Sequence, residues 1–163
     1  MISHATYARP LYERRAYSLL EMATVVAIIG LIAAMAAMRW GEKALRTASA
    51  EGFARSVAMS LSVARRQAVA EGTPAAVVLS RTAGLVSSLQ IVRAGTGDSP
   101  TEATLVVPSG VTVTTASDRW QFNYSGSLST PVAGGTIVIG DGSWNWTLTV
   151  NALTGRIGFA KAH

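Results

Sequence analysis

The sequence predicts an α+β fold: a long N-terminal helix, membrane-spanning in its first half, packed on an antiparallel β-sheet in the C-terminal domain. Three observations predict it. Residues 22–38 are one uncharged apolar run, residues 50–68 carry apolar side chains at helical spacing, and from Ala75 onward short β-branched and aromatic runs alternate with turn residues. With 163 residues, 49% of them hydrophobic, the chain is long enough for one soluble domain beyond the apolar run but hardly for two.

The apolar run from Met22 to Met38 covers about 25 Å at ~1.5 Å per residue, the short end of what crosses a bilayer core. Arg9, Arg14 and Arg15 precede it, whereas Arg39, Glu42 and Lys43 nearly balance one another after it. This bias places the N-terminus in the cytoplasm and everything after Arg39 outside. A competing reading is a secretory signal peptide cut near Ala34-Met35-Ala36, which would release a secreted β-rich binding domain. Glu21 argues against it, because an acid directly before the apolar core is foreign to a basic signal-peptide n-region.

Beyond the run, Ala50, Phe53, Val57, Leu61, Ala64 and Ala68 recur at three- and four-residue steps, with Arg55, Met59 and Arg66 on the opposite side. Glu42 with Arg46 and Glu51 with Arg55 place an acid four residues before a base, the orientation that supports a helix. Gly72-Thr73-Pro74 ends the pattern. Strands are predicted near 75–80, 85–93, 104–107, 111–115, 119–124, 135–140, 144–150 and 156–160, with turns at 80–84, 125–127, 140–143 and 153–155. Alternation places Trp144, Trp146, Leu148 and Val150 on one face of a strand, and Trp120, Phe122 and Tyr124 on one face of another. Residues 93–100, small and polar, read as a loop.

Composition narrows the chemistry. No cysteine is present, and the two histidines are His4 and His163, so a thiolate site, a histidine-dependent triad and a multi-histidine metal site have no residues to build on. Asp98, Glu102, Asp118 and Asp141 are scattered without calcium-loop spacing, and no Gly-x-Ser-x-Gly elbow precedes a helix. The sequence therefore predicts no enzyme, no metal, no cofactor and no small-molecule substrate.

Ala16-Tyr17-Ser18-Leu19-Leu20-Glu21, at the mouth of the apolar run, resembles the type IV prepilin processing site: a small residue before the cut, an aromatic after it, and glutamate fifth in the mature chain. Alanine for the commoner glycine and tyrosine for the commoner phenylalanine are its two departures. With the long helix, the all-β remainder, the missing C-terminal cysteine pair and the closing segment Leu148 to Ile157, the whole chain resembles the GspH/FimT family of minor pseudopilins. The resemblance implies a leader of residues 1–16, a transmembrane helix over 17–38, its amphipathic continuation over 39–72 and a β-rich head over 73–163. It implies a pilin-like fold, cleavage between Ala16 and Tyr17 by a prepilin peptidase, N-methylation of Tyr17, and residence in the bacterial inner membrane with a periplasmic head. Loss of the leader removes Arg9, Arg14, Arg15 and Glu13, and takes the net charge from +5 to +3.

The implied function is assembly with other pilins or pseudopilins in a type II secretion pseudopilus or a type IV pilus, through Glu21 and a neighbour's Tyr17 amino group. A carboxylate at the edge of hydrocarbon costs several kcal/mol unless paired, so such pairing is favourable enough to set register, the alternative being a Glu21 that stays fully hydrated in the headgroup zone. FimT-like members of the family are associated with DNA uptake through a Gly-Arg-x-Arg ending. This chain reads Gly155-Arg156-Ile157-Gly158, so Arg156, Lys161 and Arg119 are the candidate DNA-binding residues and make a thin patch.

Overall fold

The computed structural model describes residues 18–95, 97–129 and 135–162, apart from the side chains of residues 38–40. Among the described residues a single helix, α1 (Leu19–Glu71), is followed by nine strands: β1 (Ala75–Thr82), β2 (Leu85–Arg93), β3 (Ser99–Pro100), β4 (Leu105–Val106), β5 (Thr112–Thr115), β6 (Arg119–Phe122), β7 (Thr136–Gly140), β8 (Asn145–Val150) and β9 (Ile157–Ala162). Two compact units adjoin in the sequence at Trp40 and Gly41.

In the first unit the start of α1 is fixed by Ser18, whose hydroxyl accepts from the Leu20 amide at 3.3 Å while its carbonyl accepts from Glu21 and Met22. Glu21 falls in the first turn, where an acid complements the unpaired amides of the helix end. Every described side chain from residue 18 to 37 is exposed. An 18-residue window of this helix has a mean hydropathy of 2.3, long and apolar enough to cross a membrane.

In the second unit the rest of α1 buries the predicted stripe: Ala50, Phe53, Val57, Leu61, Ala64 and Ala68 are all inaccessible or nearly so, while Arg55, Met59 and Arg66 face solvent. Gly72, at φ +65°, closes the helix as a left-handed C-terminal residue. The expected antiparallel β-sheet domain consists of two antiparallel sheets. The first runs β3-β2-β1-β6, with β4 also on β2; the second runs β5-β7-β8-β9. The stripe of α1 shares one core with Val77, Leu89, Trp120 and Phe122 of the first sheet and with Ile137, Ile139, Trp146 and Leu148 of the second. Burying a side chain the size of Phe53 or Leu61 contributes about 1.5–3 kcal/mol, and the largest fully buried side chains, Trp120, Trp146 and Phe122, come from the sheets that the stripe packs against.

Three strand expectations need correction. The predicted loop over 93–100 contains β3, whose Ser99 and Pro100 pair with Arg93 and Val92 at the sheet edge, where a proline without an amide is tolerated. Tyr124 does not continue the β6 alternation and is 70% exposed. Asn123 ends the strand, its side-chain oxygen accepting from the amides of Ser125 and Ser127 at 3.0 and 3.1 Å and winding the chain into a turn. Trp144 lies in the loop before β8, because Asp141 accepts from the amides of Ser143 and Trp144, both at 2.7 Å, and closes the turn there. The turn predicted over 80–84 tightens to Ala83 and Gly84, both at positive φ, the conformation that a two-residue hairpin matched to strand twist requires.

Asp141 is 7% exposed, and its second carboxylate oxygen accepts from the Thr47 hydroxyl of α1 at 2.6 Å. Burial raises its pKa, but the hydrogen bonds from Thr47, Trp144 and Ser143 outweigh burial and hold the carboxyl below its ordinary value. A lowered native pKa means that this stabilisation is complete above the unfolded value of about 4 and is lost as pH falls through the native one. Asp141→Asn is therefore expected to cost about 1–3 kcal/mol at pH 6. The gap from the unmodified protein should narrow in urea melts at pH 3; a gap independent of pH would show that the charge contributes nothing.

Candidate functional site: the helix start and a basic groove

Of the residues singled out by sequence, Ala16 and Tyr17 lie outside the described residues. Glu21 is exposed on the first turn of α1, its carbonyl accepting from the Thr24 hydroxyl at 2.8 Å, and no described cation lies within ion-pair reach of its carboxylate.

The three candidate DNA contacts are divided between the two sheets. Arg119, on β6 of the first sheet, makes a two-pronged pair with Asp98 at 2.6 and 2.9 Å and donates through Nε to Gln121 at 3.0 Å. Each partner stabilises the other's charge: Arg119 lowers the Asp98 pKa and Asp98 raises that of Arg119, chiefly through these hydrogen bonds. Lys161, on β9 of the second sheet, sits over the rings of Trp144 and Trp146 at 4.7 and 5.3 Å and reaches Glu51 at 3.6 Å. Arg156 is exposed in the turn before β9, and no described carboxylate pairs with it.

What surrounds Arg156 was not foreseen. Arg55, Arg65 and Arg66 of α1 join it around an open groove of about 740 Å³, with Met59 and Phe159 as its largest apolar side chains and no acid in its lining. The Arg55 guanidinium stands 5.5 Å over the Phe159 ring and is paired with Glu51 at 2.9 Å. Arg55 and Arg66 are three helical turns apart on the solvent side of the stripe, a spacing visible in the sequence. That residues 155–159 lie opposite them is set by tertiary packing, which no local pattern encodes.

The Thr154-Gly155-Arg156 turn has its own physical necessity. Asn151 accepts through its side chain from Leu153 and Thr154, and its carbonyl accepts from Gly155 at 2.8 Å. Gly155 is buried at φ +62°; a Cβ there would collide with the Gly126 carbonyl and press on the Arg65 side chain. Arg65 in turn donates to that carbonyl at 3.2 Å, so helix, β6–β7 connection and β8–β9 turn meet at one point.

Comparison with known proteins gives a consistent picture. The family model of the type II transport protein GspH matches residues 54–154. No curated protein sequence matches the chain. Among solved structures, the type IV minor pilin FimU of Pseudomonas aeruginosa is similar with a TM-score of 0.53 at 20% identity, over 68% of this chain and 91% of that one. The minor pseudopilin EpsH from the type 2 secretion system of Vibrio cholerae is similar with a TM-score of 0.55 at 15% identity, over 69% and 96%. At these identities the structural likeness speaks for the fold.

Proposed function

Because the chain belongs to the family of the type II transport protein GspH, we propose that it is a structural subunit of a type II secretion pseudopilus or a type IV pilus whose Glu21 receives the amino terminus of a neighbouring subunit during assembly. A prepilin peptidase cuts between Ala16 and Tyr17, and Tyr17 is then N-methylated. The observation that carries this reading is the first turn of α1: an acid, unpaired among the described residues, heads a helix whose side chains are all exposed through residue 37.

Those side chains need a covering, which lipid gives to the lone subunit and the stems of other subunits give in a filament. The excess of Arg9, Arg14 and Arg15 on the N-terminal side supports an inner-membrane anchor with the N-terminus in the cytoplasm and the head in the periplasm. No catalytic role is needed for such a part.

Glu21 also contributes locally, since Ser18 and Glu21 have the spacing of a capping box. Glu21→Gln retains that local contribution and removes the charge. Both Glu21→Gln and Glu21→Ala are expected to be processed and inserted normally, yet to enter filaments at least about tenfold less, the ratio that ~1.4 kcal/mol of lost pairing gives. Quantification of each variant in sheared filaments and in membranes checks this; wild-type incorporation of Glu21→Gln would leave the acid with capping alone.

A further inference from the structure

We propose that the groove between α1 and β9 is a docking site for an extended acidic segment of another protein, which adds to the second sheet as a further strand. β9 is the edge of that sheet, and among the described residues nothing pairs with its outer side. The Arg156 carbonyl accepts from the Asn151 amide at 2.9 Å, so in an antiparallel ladder Gly158, Ala160 and Ala162 turn their backbone groups to β8, leaving those of Ile157, Phe159 and Lys161 turned outward. Consistently, Val150 bonds away from β9, its amide donating to Gly135 at 2.7 Å.

The side chains of Ile157, Phe159 and Lys161 lie across from Val150, Leu148 and Trp146, which are buried, and so belong to the core face of the sheet. The helix covers them incompletely: Phe159 remains 41% exposed and Met59, on the groove wall, 66%. A strand laid along β9 would gain main-chain hydrogen bonds on one side and apolar contact with these two residues. About six extended residues, roughly 20 Å, match the length of β9.

Charge selects the occupant. Arg66 and Arg156 have no carboxylate partner among the described residues, Arg65 is held by a carbonyl, and only Arg55 is paired with an acid. A guest strand carrying aspartate or glutamate supplies the missing anions. A second copy of this chain does not: the other outer strands β3, β4, β5 and β6 contain no acid, and the chain carries +5, or +3 without residues 1–16. A nucleic acid offers anions but cannot use an outward row of alternating amides and carbonyls as a strand does. Docking here does not depend on Glu21, so the two roles fail separately.

The probe is a fluorescein-labelled, end-capped octapeptide alternating glutamate and valine, titrated by anisotropy into the full-length protein in detergent micelles. Saturable binding is expected, with hydrogen-exchange protection of the Ile157, Phe159 and Lys161 amides. Arg66→Glu combined with Arg156→Glu should weaken binding about tenfold or more, and so should N-methylation of alternate peptide amides. Absence of binding, equal binding of the N-methylated peptide, or tighter binding of an octameric oligothymidylate with those three amides unprotected would each overturn strand addition.

Discussion

Gly155→Ala is expected to destabilise the head by about 3 kcal/mol or more and to lower its melting temperature by on the order of 10 °C. Two costs combine. A residue with a Cβ in the left-handed region costs about 1–2 kcal/mol, and here the new methyl also meets the Gly126 carbonyl, backbone that Arg65 holds in place. For a domain of this size each kcal/mol is worth about 3–5 °C. Gly142→Ala is the internal control, since Gly142 has φ +86° but open space around its would-be Cβ. It should show the conformational cost alone. Thermal melts by circular dichroism compare the two; equal losses would mean that the Gly155–Gly126 contact relaxes and the turn is less constrained than its geometry implies.

Trp120→Ala should be equally severe, at about 3–5 kcal/mol, because a fully buried indole leaves a cavity that a shared two-sheet core closes poorly. Total stabilities of only about 5–15 kcal/mol make that a large fraction. The two buried tryptophans differ in a way that a milder change reveals. Trp120 donates its ring N–H to the Ser117 carbonyl at 3.1 Å, whereas the ring N–H of Trp146 finds no acceptor among the described residues. Trp120→Phe should therefore cost more than Trp146→Phe, by roughly 1 kcal/mol in urea unfolding. The reverse order would show that an acceptor reaches Trp146 in solution.

Much of this architecture was legible in the residues. Six apolar positions at helical steps identified the buried face of α1 one by one, because helical periodicity is a local property and each position packs on the same core. The central strands were legible for the same reason, as in the alternation from Trp146 to Val150. What escaped detection depended on other parts of the chain. Division into two sheets follows from which strands pair, and Ser99-Pro100 becomes a strand only because β2 is there to receive it. Tyr124 was misplaced by the side-chain hydrogen bonds of Asn123, which override alternation within a residue or two, whereas Trp144, drawn into the Asp141 turn just before β8, still packs on the core face that alternation gave it. At the candidate site, Glu21 was visible as an isolated acid before an apolar run. The arginine groove was not, since its two walls are some 90 residues apart in sequence.

The shared core also imposes a schedule. The face of α1 that ends at Ala68 is synthesised first, while Trp146 and Leu148, which close over it, emerge about 80 residues later. At ~5–20 residues per second the ribosome needs on the order of 4–16 s to supply them. Throughout that interval only residues of the first sheet, such as Val77 and Leu89, can cover part of the greasy strip, so a nascent chain of this design gains from a chaperone or from prompt delivery to its destination.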